Sequence, residues 1–82
     1  MSTDEQIGQA LAAILKADDA GELLDNEALA GRLGWDLPTT SACVEAMKER
    51  SMIWGVRGSR TPGPWFSELE VTVQGKRFLK TQ

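Results

Sequence analysis

The side chains that could carry out catalysis in this sequence are few. The chain contains no histidine and one cysteine, Cys43. Histidine is the commonest general base and a frequent zinc ligand, and Ser–His–Asp or Cys–His nucleophiles also require it. One cysteine cannot form a disulfide within the chain, and no second cysteine is present to resolve an oxidised one. We therefore expect no enzyme activity, no metal site and no cofactor, and we interpret Cys43 as a small buried hydrophobic residue.

The chemistry that the sequence does offer is the binding of anions by basic side chains. Arg57 and Arg60 flank Gly58 and Ser59 at the start of a segment rich in glycine and proline, which is typical of a loop. Guanidinium groups on such a loop can reach phosphates or a DNA minor groove. A solvated surface turn is the alternative interpretation. Three further cations follow near the end of the chain, where they also suit the C-terminus of a helix: Lys76, Arg77 and Lys80.

Charge is divided unevenly along the 82 residues, although the net charge is only −3. Residues 1–36 contain eight acids and two bases, whereas residues 37–82 contain four acids and seven bases. A locally basic surface can attract phosphates on an acidic protein, because the local field decides the interaction. The composition is that of one globular domain. Without a long apolar run or a cationic leader, we expect a cytoplasmic protein that does not enter the membrane.

Hydrophobic spacing predicts the elements that must position these cations. The third helix has the clearest pattern, because Thr40, Cys43, Val44 and Met47 recur at offsets of zero, three, four and seven and so share one buried face. The elements predicted in chain order are a helix over Asp4–Ala17 capped by Ser2, Thr3 or Asp4, a very short strand with one paired rung at Glu22–Leu24, a helix capped by Asp25 or Asn26 that runs to Leu33 and is ended by Gly34, a helix from Leu37 to about Arg50 capped by Asp36, strands at Met52–Arg57 and Trp65–Val71 around a loop at Gly58–Pro64, and a helix capped by Thr72 that runs through Leu79 and buries Val73, Phe78 and Leu79.

Two segments carry a resemblance to a known class of protein. The run Leu29–Trp35, with the sequence LAGRLGW, is similar to the "LAxRLG-apolar" opening found in bacterial regulators of the MarR and ArsR groups. The run Leu69–Leu79 resembles the "hydrophobic-T-x-x-G-x-x-hydrophobic" ending of the same proteins, in which the last strand leads into a helix. Both motifs occur in the order that those families have. The chain thus resembles MarR/ArsR-type transcriptional regulators over nearly its whole length.

The resemblance and the order of elements together imply a fold. We expect an α+β winged helix-turn-helix, with a three-helix core, a β-hairpin wing and a short C-terminal helix. A single domain would span residues 1–82, with the helix-turn-helix at about residues 26–51 and the wing at about residues 52–71. The resemblance further implies a small transcription regulator or accessory factor that binds double-stranded DNA. Such regulators are often dimers, and here a dimer would use the first helix, the last helix or the wing.

The third helix differs from a typical DNA-reading helix. The families it resembles often have arginine at the position of Ala42, and Glu45 and Glu49 lie on the same outward side. Glu45 could still accept a hydrogen bond from a cytosine amino group. We therefore expect DNA contacts to depend mainly on the wing. The candidate DNA-binding residues are Thr39, Ser41, Lys48, Arg57 and Arg60.

The tryptophans suggest an alternative function. We expect Trp35 to wedge between the second and third helices, and Trp54 and Trp65 to form a cross-strand pair near the tip of the hairpin. Exposed rings in the wing would offer anchors for a partner. The alternative is therefore an adaptor that binds another protein, or a second copy, through its acidic third helix or its wing. The candidate partner contacts are Trp54, Trp65 and Phe66.

Overall fold

A computed structural model describes residues 2–61 and 64–81 of the protein. The architecture is α+β, as predicted, with four helices and one two-stranded antiparallel hairpin. Pro62 and Gly63 of the predicted loop, and the terminal residues Met1 and Gln82, lie outside the described residues. The elements in chain order are α1 (Asp4–Asp19), α2 (Asn26–Leu33), α3 (Leu37–Glu49), β1 (Ile53–Gly58), β2 (Trp65–Val71) and α4 (Val73–Lys80).

Each of the four helices begins at a side-chain cap that the sequence predicts. Thr3, Asp25, Asp36 and Thr72 each accept a hydrogen bond from the backbone N–H three residues further on. The side-chain hydroxyl of Thr39, and to a lesser extent its backbone N–H, hydrogen-bond to the Asp36 carboxylate. These bonds hold the pKa of the carboxyl below its usual value. The caps satisfy amide groups that a helix cannot satisfy internally, which is why the helix starts were predictable.

The turn between α2 and α3 depends on Gly34. Its φ of +69° lies in the left-handed region, and the backbone N–H of the following Trp35 donates to the Ala30 carbonyl at 3.1 Å. Trp35 is half-buried and packs against the core. The predicted core face of α3 is confirmed, because all four of its members are fully buried: Thr40, Cys43, Val44 and Met47.

The hairpin contains a β-bulge that the sequence pattern does not indicate. Trp54 pairs with Glu70 whereas Val56 pairs with Ser67, so β2 has one extra residue between these pairs. Glu68 lies in this stretch with a φ of +54°. Next to the bulge, Leu69 bridges Leu24 on the other edge of β2, which confirms the single paired rung that was predicted around Glu22–Leu24.

Two details of the predicted packing are wrong. Trp54 and Trp65 do not pair across the hairpin, because Trp54 lies opposite Glu70 and Trp65 lies opposite Gly58 near the loop. The register places the two rings at different ends of the strands. Val73 does not enter the core either, since it is 62% exposed on the outer side of α4. Phe78 and Leu79 do pack against the core, as predicted.

Gly75 brings α4 close to the hairpin. A Cβ atom at this position would meet the carbonyl oxygen of Met52 and would lie 2.7 Å from Val71 Cγ1. The glycine that lowers helix propensity therefore allows α4 to approach the backbone that precedes β1. Among the described residues, no helix combines the length and the apolar character that a membrane span requires.

Candidate nucleic-acid interface

Two of the predicted cations meet where α3 and the hairpin join. Lys48 Nζ from α3 and the guanidinium carbon of Arg57 from β1 each lie 5.9 Å from the centroid of the Phe66 ring. A cation above an aromatic face is attracted by the ring quadrupole, so Phe66 holds both charges on one side of the molecule. Both side chains also line a shallow groove between α3 and the hairpin, together with Glu45, Glu49, Pro64 and Phe66.

Arg60 lies at the start of the loop and contacts two other elements. Its guanidinium carbon is 4.2 Å from the centroid of the Trp65 ring, and its Nη2 is 3.4 Å from Oε2 of Glu27 in the first turn of α2. Both members of this ion pair are more than half exposed, so water screens it and it contributes little to stability. Arg60 remains accessible to an incoming anion, but Glu27 competes for its charge.

A buried amide fixes the hairpin against the helices. Asn26 is completely buried, and its Nδ2 donates to Ser41 Oγ and to the Pro64 carbonyl, both at 3.0 Å. Its Oδ1 accepts the backbone N–H of Phe66 at 3.0 Å. One side chain thus connects the start of α2, the middle of α3 and the start of β2. Because Phe66 lies beneath Lys48 and Arg57, Asn26 also positions the two cations.

Sequence reasoning missed this role of Asn26 because it considered the residue only as a possible cap. Asp25 takes the cap, with its Oδ1 2.8 Å from the Ala28 amide nitrogen, and this leaves the neighbouring amide free for long-range hydrogen bonds. The available signal was the presence of two capping residues in succession, of which a helix needs only one. A local pattern cannot identify partners such as Phe66 that lie 40 residues away.

The structure corrects the prediction that Ser41 contacts DNA. The residue is 2% exposed, and its hydroxyl accepts the hydrogen bond from Asn26. Ser41 therefore belongs to the buried network and does not face a ligand. Thr39 is half-buried at the other end of α3, roughly 13 Å along the helix axis from Lys48. The structure thus brings Lys48 and Arg57 together, whereas Thr39 lies on the side of α3 that faces the start of α1, and Arg60 lies beside Glu27 of α2.

The outward side of α3 carries one small and two acidic residues, as the sequence indicates, and we call these three residues the acidic crest. Ala42, Glu45 and Glu49 are exposed. The two glutamates line the groove on the hairpin side of α3 and also a second depression on the α1 side, so they project between the two. A ligand that lies along α3 would meet these carboxylates first and the cations at its flank.

The predicted partner contacts are also corrected. Trp65 is 3% exposed and Phe66 is 5% exposed, so neither ring is available to a partner. Arg60 covers Trp65, and Lys48 and Arg57 cover Phe66, which explains the burial of rings so near a loop. Trp54 differs, because it is 59% exposed on the outer side of β1.

Cys43 is fully buried in the core, as its position on the α3 face predicts. Burial raises the pKa of its thiol, and a hydrogen bond with Ser2 opposes this shift without cancelling it. A protonated and inaccessible thiol is a poor nucleophile. Cys43 therefore serves the packing of the core.

No protein-family model matches the chain, and neither the curated proteins nor the solved structures include a significant match. The geometry of α3 and the hairpin must therefore carry any proposal of function.

Proposed function

We propose that the chain is a winged helix-turn-helix domain that binds double-stranded DNA and acts as a small transcription regulator or accessory factor. The order of its elements supports the class, because a short helix, a glycine turn and a second helix are followed directly by a hairpin. The segment Leu29–Trp35, which resembles the MarR and ArsR motif, spans the end of α2 and the turn at Gly34.

The observation that carries the proposal is the convergence of Lys48 and Arg57 on Phe66. A helix and a strand each contribute one cation to the same side of the molecule. Phosphates on either side of a DNA groove are spaced so that a helix in the groove and an adjacent hairpin can each contact the backbone. In this proposal α3 lies along the major groove, Lys48 and Arg57 bind phosphate at its flank, and Arg60 extends the contact from the loop.

The acidic crest of α3 limits how this domain would recognise sequence. Glu45 and Glu49 are acceptors only, so in the major groove they can pair with base amino groups and are repelled by phosphates. Ala42 offers no hydrogen bond. Most of the affinity therefore comes from cation–phosphate contacts, which are independent of sequence and strongly dependent on salt.

A salt titration tests the proposal. Binding of the protein to a fluorescein-labelled duplex is followed by fluorescence anisotropy at several salt concentrations. Three phosphate contacts give a slope of log K against log salt of about −3, and removal of two of them reduces it to about −1. We expect Arg57→Ala combined with Arg60→Ala to weaken binding at least tenfold at low salt.

Lys16→Ala on α1 is the control for the loss of one exposed cation, since Lys16 lies outside every ion pair of the described residues. It should leave both affinity and slope close to those of the wild type. Absence of a complex at low salt would refute the proposal, as would equal effects of the control and the double variant.

A further inference from the structure

The hairpin leaves one edge of its sheet open. On the far edge of β2, the Leu69 N–H donates to the Leu24 carbonyl at 3.0 Å. Nearer the loop, the Asn26 side chain bonds to β2 as a strand would, because it accepts from the Phe66 N–H and donates to the Pro64 carbonyl. β2 therefore has neighbours on both edges, whereas β1 pairs with β2 alone in the described part of the chain.

Alternation along β1 identifies the backbone groups that face this open edge. The Thr72 N–H donates to the Met52 carbonyl at 2.9 Å, so Met52 turns its backbone toward β2. Successive residues of an antiparallel strand turn their N–H and C=O groups alternately toward and away from the partner, so Gly55 and Arg57 turn theirs away. The N–H of Phe66, which lies opposite Arg57, likewise points away from the other strand.

The open edge is short and lacks the features that usually protect an edge strand. Such strands often carry a lysine or a proline, or they bulge. The sequence of β1, IWGVRG, contains neither residue type, and the bulge lies in β2. Ile53 is buried, but Gly55 is partly exposed and Arg57 is exposed. This stretch can accept an extended peptide through backbone hydrogen bonds.

The outer side of the hairpin beside this edge is apolar and acidic. Trp54 is 59% exposed and Val56 is 54% exposed, and both lie on the same face of β1. Glu70 lies opposite Trp54 in the register, and Glu68 is also exposed. Neither glutamate forms an ion pair with another described residue. We call Trp54, Val56, Glu68 and Glu70 the hairpin patch.

Trp54 differs from the other aromatic residues of the hairpin and of α4. Phe66, Phe78 and Trp65 each have a cation of the same chain over the ring. Within the described part of the chain, no cation lies over Trp54. An exposed indole beside a carboxylate attracts a lysine or arginine through both the ring and the charge. The hairpin patch is therefore complementary to a basic partner.

We propose that the open edge of β1 binds an extended basic segment of another protein as an added strand. The backbone of the segment pairs with that of Gly55 and Arg57. Every second side chain of the segment then lies beside Trp54 and Val56. Because neighbouring strands lie about 4.8 Å apart, a lysine or arginine at such a position extends across Trp54 toward Glu70.

A second copy of the chain is a poorer occupant of this edge. Its own β1 presents an indole and a valine on the outer face, and its β2 adds two more carboxylates, so it supplies no cation there. A basic segment supplies the charge that the hairpin patch lacks. The proposed DNA contacts of the hairpin are arginine side chains, whereas this edge uses backbone groups and the outer face, so the inference does not depend on DNA binding.

Nuclear magnetic resonance of the isotope-labelled protein without DNA tests the proposal. The probe is a short synthetic peptide in which lysine alternates with valine. It should shift the amide signals of Gly55 and Arg57 and the indole signal of Trp54 more than any others, and added salt should weaken its binding. A peptide with glutamate in place of lysine has the wrong charge and should not bind. A peptide with proline in place of valine cannot pair as a strand and should not bind either.

Two substitutions at one position separate the backbone from the side chain. Arg57→Pro removes the N–H that faces the open edge, and the ladder with β2 does not use this N–H. Arg57→Ala is the matched control, because it removes the same side chain and keeps the N–H. We expect the dissociation constant of the lysine–valine peptide to be about tenfold higher for Arg57→Pro than for Arg57→Ala. Circular dichroism checks that both variants are folded.

Substitutions in the hairpin patch keep the test decisive if the proline variant does not fold. Trp54→Ala should raise the dissociation constant about tenfold. Glu68→Gln with Glu70→Gln should raise it about threefold at low salt. The control for the loss of two charges is Glu5→Gln with Asp19→Asn on α1, which should bind the peptide like the wild type.

Three results would overturn the proposal. The first is absence of peptide binding at low salt, or binding that shifts signals outside β1 and the hairpin patch. The second is equal affinity of folded Arg57→Pro and Arg57→Ala, or, without a folded proline variant, equal affinity of Trp54→Ala and the wild type. The third is a dimer of the free protein that Trp54→Ala dissociates, because a second copy would then occupy the edge.

Discussion

At the scale of single residues, the sequence predicts side chains with local roles and misses those with distant partners. The caps at Asp25, Asp36 and Thr72 act within one turn of helix, so their positions follow from residue type and spacing. Asn26 and Ser41 are different. Both are polar residues in helices, and only the fold reveals that they hydrogen-bond to each other in the interior.

Replacement of Asn26 by alanine should destabilise the protein substantially. The substitution leaves the Phe66 N–H without its acceptor in a buried environment and also removes two donated hydrogen bonds. An unsatisfied buried donor costs about 1–3 kcal/mol, so we expect a loss of about 2–3 kcal/mol in the free energy of unfolding. For a domain of this size the melting temperature would fall by roughly 10–20 °C.

Thermal denaturation, monitored by circular dichroism, measures this effect. Gln74→Ala on the exposed side of α4 is the control for loss of a side-chain amide. The control should melt within a few degrees of the wild type. If Asn26→Ala melts like the control, the buried hydrogen bonds do not hold the hairpin in place.

At the scale of elements, every predicted helix and both strands of the hairpin exist with bounds within two residues, and the short strand predicted at Glu22–Leu24 is a single bridge at Leu24. β2 begins and ends where the sequence predicts, and the glycine turn after α2 has the predicted left-handed conformation. The bulge in β2 could not be predicted, because Glu68 is not a residue type that signals a left-handed backbone. The bulge shifts the register by one residue only, so the wrong pairing of Trp54 with Trp65 has another cause: the two residues lie at opposite ends of the hairpin.

Two glycines in helices should respond in opposite ways to substitution by alanine. Gly75→Ala places a methyl group against the Met52 carbonyl and Val71, so we expect a loss of about 1–3 kcal/mol despite the better helix propensity of alanine. Gly31 in α2 has open space around its Cα, and Gly31→Ala should gain up to about 1 kcal/mol.

Urea denaturation of both variants against the wild type gives the two differences in the free energy of unfolding. A stabilising Gly75→Ala would mean that α4 packs less closely against the segment before β1 than the structure shows. A destabilising Gly31→Ala would contradict the open surroundings of α2 at that position.

At the scale of the whole molecule, the division of charge along the sequence becomes a mixture of charges in space. The basic second half contributes Lys48 and Arg57 to the α3 side, but it also contributes Glu45 and Glu49 to the same groove. The sequence predicts the types of residue on this surface, and even the acidic crest. It cannot predict that Phe66 gathers two cations, since that depends on the approach of β1 to α3.

If α3 faces DNA, removal of its acidic charges should strengthen binding. Glu45→Gln with Glu49→Gln eliminates repulsion of phosphates while it keeps side chains of similar size, and we expect at least a threefold increase in affinity at low salt. The control is Glu5→Gln with Asp19→Asn on α1, which changes the net charge equally. Fluorescence anisotropy with the same duplex measures both. Equal increases would indicate a general charge effect and would argue against α3 as the contact surface.

The bulge at Glu68 has a consequence for how this hairpin tolerates insertions and deletions. Phe66 and Leu69 are three residues apart, and in a regular strand they would point to opposite sides. Both are nevertheless buried, because the extra residue between them shifts the alternation by one position. Deletion of Glu68 would leave Phe66 and Leu69 two residues apart, so a regular strand would keep both of them inside. The pairs Trp54–Glu70 and Arg57–Phe66 would stay as they are, so we expect the hairpin to lose its bulge and keep its buried side.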